Sequence, residues 1–282
     1  MNRIRTQTIT EIVKQLCIDS NLYIGRDVVE KINEFRQKEE SPTARNILDI
    51  IMENHKMAAQ EEMPLCQDTG VAIVFIELGQ EVAIVDGNFE DAINEGVRQG
   101  YKAGYLRKSM VDDPVLERTN TGDNTPAIIY TDIVPGDKLK ITLAPKGGGA
   151  ENMSEVKMMK AVDGIEGVKE FVIDRVRRSG GNPCPPVIVG LGLGGSFEQS
   201  ALLAKKALLR PLDQKNPIEK WAKVEDELLE AINHLGIGPM GLGGRTTALA
   251  VHILAKPCHM ASMPVAINMQ CHAHRHKTAI IP

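Results

Sequence analysis

The chain has 282 residues, of which 43% are hydrophobic and 25% charged, so it can bury the core of a globular protein. Its 33 basic and 37 acidic residues give a net charge of −4, and no long basic run is interleaved with aromatic residues, which argues against a nucleic-acid partner. No apolar run approaches the roughly 20 residues that span a bilayer, and the N-terminus lacks a signal-peptide core. We therefore expect a cytoplasmic protein without a membrane partner.

The five cysteines are an odd number in a chain without secretory signals. This count argues against a disulfide framework and favours reduced thiols. Reduced thiols are available to bind metals.

Residues 1–62 predict a helical N-terminal segment. Apolar residues at helical spacing indicate a helix over residues 7–20 that places Cys17 in the core. A second helix is expected after Gly25, and a third begins at Ser41 and Pro42, an N-cap followed by proline at the first helical position. The apolar stripe of the third helix is expected at Ile47, Ile50 and Ile51.

The stretch PLCQDTG (64–70) presents Cys66, Gln67, Asp68 and Thr69 on a loop between a helical pattern and the buried strand VAIVFIEL (71–78). A lone cysteine is more often an inert small hydrophobe, and Asp-Thr-Gly is ordinary in turns. Two further cysteines, at positions 184 and 271, also lie in polar or Gly/Pro-rich stretches. Three thiolates on separate loops indicate a shared metal.

The middle of the chain predicts a strand over 81–85, a helix from Glu90 to about Gly104 and then a long polar stretch that contains Arg107. Long loops often form binding or lid segments, although an arginine is more commonly a solvated surface charge. The strands AIIYTDIV and KLKITLAP follow, joined by a turn of the hairpin kind at 135–137.

The three glycines of KGGGAENMS free the backbone to approach a ligand. KGGGAENMS (146–154) offers backbone N–H groups to an anion before a helix expected near Ser154, and a flexible turn explains these glycines almost as well. Residues 236–241 satisfy G-x-G-x-x-G, but a polar helix stands where a strand should precede them, which argues against a dinucleotide site. The segments after GLGLGGS and GIGPMGLGG resemble each other, which hints at an internal duplication.

The last third begins with a helix expected over about 165–178, after which prolines hold the chain extended around Cys184 and lead into a strand. Two further strand-like runs enclose Cys258 and His259. These two residues, with Cys271 and the histidines that follow it, form an alternative zinc site. Paired C-x-x-C spacing is absent.

Seven motifs occur in one order from end to end: PLCQDTG, LRKSMVDDP, NTGDNTPA, LAPKGGGAENMS, NPCPPVIVG, GIGPMGLGG and SMPVAINMQCHAHR. Together they resemble the alpha subunit of class I, iron-sulfur-dependent fumarate hydratase. The same superfamily includes the alpha subunit of L(+)-tartrate dehydratase, and both are hydro-lyases. NTGDNTPA, KGGGAENMS and GLGGRTTALAVHI are more similar to the fumarase side.

The resemblance implies a 4Fe-4S cluster held by three cysteines, with one iron open to substrate as a Lewis acid. The implied ligands are Cys66, Cys184 and Cys271, and Cys258 falls outside the pattern. The implied substrate-binding residues are Gln67, Asp68, Arg107, Gly149 and His259. Asp68 is also the implied catalytic residue, taking part in proton transfer with a residue of a partner subunit.

Single-chain relatives continue into a second domain, whereas this sequence ends at Pro282. The resemblance therefore implies a separate beta subunit that completes the site for a small dicarboxylate, in a dimer of alpha-beta heterodimers. The expected fold is α/β, with mixed sheets, surrounding helices and a cluster-binding core over 63–282 within one catalytic domain, 1–282. The alternatives are a zinc protein and a non-catalytic iron-sulfur or nucleotide-binding module.

Overall fold

The structure, a computed structural model, describes residues 2–282. The helices are α1 (Thr6–Leu22), α2 (Arg26–Lys38), α3 (Pro42–Gln60), α4 (Phe89–Ala103), α5 (Gly148–Glu151), α6 (Gly164–Ser179), α7 (Phe197–Ala207) and α8 (Glu219–Asn233). The strands are β1 (Asn2–Arg5), β2 (Val71–Gly79), β3 (Val82–Val85), β4 (Ile128–Val134), β5 (Leu139–Lys146), β6 (Glu155–Met159), β7 (Val187–Gly195), β8 (Ala248–Cys258), β9 (Met263–Gln270) and β10 (Lys277–Ile281). The fold is α/β with mixed sheets, which confirms the predicted class.

The three predicted N-terminal helices are present as α1, α2 and α3. Ser41 caps α3, because its Oγ accepts a hydrogen bond from the Ala44 N–H at 3.3 Å. The predicted apolar stripe of α3 was wrong at Ile50, which is 55% exposed. The buried face follows Ala44, Leu48 and Ile51 instead, since residues three and four apart share one side of a helix.

Two compact units make up the chain, and each consists of segments that are distant in sequence. Unit 1 contains Met1–Ile24, His55–Gly147 and Arg275–Pro282, and unit 2 contains Gly25–Asn54 and Gly148–His274. The chain therefore passes between the units four times, twice within motifs of the sequence, at KGGGAENMS and at CHAHR. Within residues 2–282, no helix has both the length and the apolar character needed to cross a membrane.

Unit 1 is built on a four-stranded sheet of order β10-β5-β2-β4, in which β2 pairs in parallel with β4 and antiparallel with β5. The predicted hairpin between β4 and β5 was therefore wrong. The turn at 135–137 carries the chain past the end of β2, where the Gln80 N–H donates to Val134 O and the Glu81 N–H to Gly136 O, both at 2.9 Å. A turn sequence fixes a reversal but not which strands become neighbours.

Helices α1 and α4 belong to the core of unit 1. A Cβ at Gly100 would lie 2.7 Å from the Cβ of Cys17, so glycine permits this close helix contact. Cys17 is fully buried, and burial raises the pKa of its thiol. This confirms that Cys17 is a core residue.

Unit 2 is built on a second mixed sheet, of order β6-β9-β7-β8. Strand β7 is buried along nearly its whole length, and glycines let α7 approach its backbone: a Cβ at Gly192 would lie 1.9 Å from the Ser200 carbonyl oxygen. Apolar residues of α6 and α8, including Phe171 and Ile232, share the core with this sheet. The rigid sheet ends carry the loops described below.

Two predictions for unit 2 were wrong. The helix expected near Ser154 is the strand β6, because residues 155–159 pair antiparallel with β9, and the short helix α5 ends before it, at Glu151. The internal duplication is not supported either, since α7 follows the first glycine run whereas β8 follows the second. In both cases strand pairing and packing decided the conformation, and local similarity did not.

Candidate functional site

The PLCQDTG loop of unit 1 connects α3 to β2 and is held at its C-terminal end by buried donors. Tyr101 donates from Oη to the carbonyl oxygens of Thr69 and Gly70, each at 2.9 Å, and Asn124 Nδ2 donates to Gly70 O at 3.2 Å. Tyr101 is fully buried, and burial raises the pKa of its phenol, so it remains a donor. The loop is thereby fixed where it enters β2.

Asp68 occupies a space that a side chain at position 147 would fill. Its Oδ1 accepts from the Gly70 N–H at 3.0 Å, and a Cβ at Gly147 would lie 2.9 Å from Oδ2. The first glycine of KGGGAENMS therefore leaves room for the Asp68 carboxylate. The lack of a side chain at Gly147 thus serves the placement of Asp68, in addition to any flexibility of the turn.

Arg107 is attached to the same loop through its backbone. Thr69 Oγ1 donates to Arg107 O at 2.7 Å, while the Arg107 side chain is exposed. Cys66 is half-buried, Asp68 is half-buried and Gln67 is exposed. Unit 1 thus brings together four of the predicted site residues.

Arg275 contacts the PLCQDTG loop, and the sequence analysis assigned no role to it. Its side chain is buried, 3% exposed, and Nη2 donates to the backbone carbonyl of Asp68. Its Nε and Nη1 are also buried and have no hydrogen-bond partner within residues 2–282. The signal in the sequence was its place in CHAHR, four residues after Cys271.

In unit 2, Cys184 lies on a tightly constrained loop. Its φ of +54° is in the left-handed region that a residue other than glycine rarely adopts. The Cys184 N–H donates to Gly181 O at 3.0 Å, and the His272 N–H donates to Cys184 O at 3.2 Å. The structure therefore brings Cys184 next to the residue that follows Cys271, and both cysteines are half-buried and outside any disulfide.

The GIGPMGLGG run supports the Cys184 loop. The Met240 N–H donates to Pro185 O at 2.7 Å, and a Cβ at Gly241 would lie 2.6 Å from the Cα of Gly181. Its glycines allow one backbone to approach another, and the partner is the NPCPP loop.

Gly149 lies beside the Cys184 loop and His259 lies on a separate connection of unit 2. Gly149 is exposed within α5, and a Cβ there would have one neighbour, Asn182 O, at 3.4 Å. His259 is exposed between β8 and β9, where its Nδ1 accepts from the Ala261 N–H at 3.1 Å. That bond places the proton of a neutral ring on Nε2, which faces away from the backbone contact.

The proposed zinc set does not converge. Cys258 is exposed and donates from Sγ to Ser262 O at 3.2 Å, closing its own connection. In the part of the chain from 2 to 282, no three His, Cys, Asp or Glu side chains are grouped so that they could hold one metal ion. Cysteines of an iron-sulfur cluster bind different irons and need not meet at one point.

The sequence of the chain matches a family of known proteins. A family described as "Fumarate hydratase (Fumerase)" matches residues 10–280. The chain is 43% identical over 271 residues to "Putative L(+)-tartrate dehydratase subunit alpha" of Methanocaldococcus jannaschii, covering 95% of each chain. It is 33% identical over 276 residues to "L(+)-tartrate dehydratase subunit alpha" of Escherichia coli O157:H7, covering 97% of this chain and 90% of that protein. The chain therefore belongs to the fumarate hydratase (Fumerase) family of hydro-lyases.

Proposed function

We propose that this chain is the alpha subunit of a two-subunit, cytoplasmic hydro-lyase that interconverts fumarate and L-malate with a 4Fe-4S cluster. The match to the fumarate hydratase family over residues 10–280 carries this proposal. The geometry supports the proposal, because the cysteines implied as ligands lie in loops that hydrogen bonds hold in place and that also carry polar residues.

The thiols fit an iron-sulfur cluster by their chemistry and exposure. Cys66, Cys184 and Cys271 are half-buried and form no disulfide, whereas Cys17 is fully buried and burial raises the pKa of its thiol. A thiol must lose its proton to bind iron, so partly exposed thiols suit the role and Cys17 does not. Cys66, Cys184 and Cys271 would hold a 4Fe-4S cluster through three thiolates, and the bound cluster would supply a Lewis acid for loss of the substrate hydroxyl group.

The other predicted residues bind and orient a dicarboxylate. The Arg107 guanidinium is exposed beside the Cys66 loop and suits a carboxylate through its planar fork. The backbone N–H of Gly149 and the Nε2–H of His259 supply further hydrogen-bond donors. Asp68, held by the Gly70 N–H and given space by Gly147, takes or returns the proton at the carbon next to a carboxylate.

The site requires a partner because this chain offers few cations for a dianionic substrate. The chain carries a net charge of −4, and its relatives are named as alpha subunits. A beta subunit would add the remaining cationic groups, and two alpha-beta pairs would form a two-fold tetramer.

Dehydration of L(+)-tartrate is the second candidate. The names of the relatives at 43% and 33% identity favour it. Tartrate differs from malate by one hydroxyl group, and a site built to hydrogen-bond a hydroxyl discriminates strongly against the analogue that lacks it. The two activities should therefore differ widely in kcat/KM.

The test is anaerobic reconstitution of the chain with and without its candidate partner, followed by assays with fumarate, L-malate and L(+)-tartrate. We expect turnover of one substrate pair by the complex only, and full turnover by the chain alone would refute the two-subunit proposal. Cys66→Ser, Cys184→Ser and Cys271→Ser should each abolish the cluster absorbance, whereas the matched controls Cys17→Ser and Cys258→Ser should retain it. Stoichiometric zinc without sulfide would remove the cluster assignment.

A further inference from the structure

The Arg275 guanidinium is costly where it lies. The side chain is 3% exposed, and only Nη2 has a hydrogen-bond partner within residues 2–282, the Asp68 carbonyl oxygen. A buried cation with two unpaired nitrogens destabilises a fold. Its presence therefore indicates that its charge or its geometry is needed. A neutral donor would be sufficient to satisfy one carbonyl oxygen, so the presence of arginine requires an explanation.

The position of the bond supplies that explanation. Tyr101 and Asn124 hold the carbonyl oxygens of Thr69 and Gly70, where the loop joins β2. Arg275 holds the carbonyl oxygen one residue earlier, at Asp68, which is two residues from Cys66. Arg275 therefore holds the peptide plane after Asp68, next to the Cα that carries the Asp68 side chain.

We propose that Arg275 is a positioning residue: it fixes the Cys66–Asp68 segment through the Asp68 carbonyl oxygen, and its buried positive charge compensates the negative charge of the groups that bind at this loop. The expected effect on catalysis rests on the proposed function. The expected effect on the Cys66–Asp68 segment can be measured on the chain without cluster or partner. The guanidinium combines a rigid donor with a permanent charge, which neither glutamine nor methionine provides. Lysine keeps the charge and one donor.

The cysteines of the chain provide the first test. The apo-chain is kept reduced and anaerobic, treated with iodoacetamide, and the alkylation rate of each cysteine is followed by mass spectrometry. Cys66 reports the loop, Cys258 is exposed and serves as the reactive reference, and Cys17 is fully buried and reports global unfolding. One labelling experiment thus separates a loosened loop from a misfolded chain.

Arg275→Met should accelerate alkylation of Cys66 by roughly 10- to 100-fold, the range that corresponds to loss of one hydrogen bond to a charged group. The rate at Cys258 should not change, and Cys17 should remain protected. Arg275→Lys should restore most of the protection of Cys66. Arg5→Met is the matched control, since Arg5 is an exposed arginine of the same unit that pairs with Asp86 at 3.4 Å.

The second measurement uses the reconstituted complex with its partner. Arg275→Met should lower kcat far more than it raises KM, at unchanged iron and sulfide content, because the Asp68 side chain is misdirected while the other substrate contacts remain. Arg275→Lys should recover part of kcat. A merely structural residue would lower cluster content and leave the kcat per cluster unchanged.

The outcomes are distinguishable from failure of the proposed function. Unchanged alkylation of Cys66 in Arg275→Met overturns the positioning role, and so does labelling of Cys17 in both the Met and Lys variants. Parallel loss of cluster and activity, with normal kcat per cluster, also overturns it. A wild-type complex that carries a cluster but turns over none of the three dicarboxylates refutes the proposed function, while accelerated labelling of Cys66 would still support the role of Arg275 in the loop.

Discussion

Replacement of Glu39 by glutamine should destabilise the chain, because this carboxylate joins two distant segments of unit 2. Glu39 follows α2 and is 1% exposed. Its Oε2 accepts from the Thr246 N–H at 2.8 Å and the Thr246 hydroxyl at 2.6 Å, and both of its oxygens accept from the Arg245 N–H. Its Oε1 also caps the turn before α3, accepting from the Ser41 N–H at 3.1 Å.

The magnitude follows from the donors that the substitution leaves unpaired. Glutamine keeps one acceptor oxygen, but its NH₂ group must face N–H donors on the other side. A buried donor without a partner costs about 1–3 kcal/mol, and the Thr246 hydroxyl can rotate to another acceptor. We therefore expect Glu39→Gln to lower the free energy of unfolding by about 2–4 kcal/mol.

The assay is urea unfolding of the reduced apo-chain, with Glu40→Gln as the matched control. Glu40 is the adjacent residue, is exposed, and approaches Arg245 Nε at 3.4 Å. An exposed ion pair of this kind contributes about 0–1 kcal/mol. Equal unfolding free energies for the two variants would refute the reasoning.

The pH dependence gives an independent check on the same residue. Burial raises the pKa of Glu39, but the hydroxyl of Thr246 and the backbone N–H groups of Arg245, Ser41 and Thr246 outweigh it and hold the pKa below its ordinary value of 4.5. A carboxyl group with a lowered pKa stabilises the fold fully above the ordinary value and loses this contribution as the pH falls through the folded-state value. The difference between wild type and Glu39→Gln should therefore shrink on acidification below about pH 4.5.

Two glycine substitutions test the close approaches described above. Gly147→Ala should lower kcat of the reconstituted complex with little effect on the thermal midpoint, because the new methyl group meets Asp68 Oδ2 at 2.9 Å; wild-type kcat would contradict the placement of that carboxylate. Gly192→Ala should lower the free energy of unfolding by about 3 kcal/mol or more, because its Cβ would lie 1.9 Å from the Ser200 carbonyl oxygen and α7 would have to move. A urea midpoint close to that of wild type would show that α7 does not pack directly on β7.

Local patterns in the sequence were sufficient for most elements. Apolar residues at helical spacing predicted α1, and the continuous apolar run before Glu77 predicted β2. The Ser41 cap was read from two residues. The residues that make up each of these signals are close together in the sequence. They can therefore be recognised without knowledge of the tertiary structure. The order of seven short motifs likewise identified the family, which the comparisons confirmed.

Only the tertiary structure decided which segments meet. The turn at 135–137 predicted a hairpin, but β2, distant in sequence, pairs with both β4 and β5. The bond from Arg275 to the Asp68 carbonyl joins residues 207 positions apart, and that from Thr246 to Glu39 also spans 207. Local propensity and periodicity set how a segment folds, whereas its partners depend on the burial and hydrogen bonding of groups far away in the chain. The bond from Arg275 to the Asp68 carbonyl oxygen and the close approaches of Gly147 to Asp68 and of Gly241 to Gly181 become visible only through those non-local contacts.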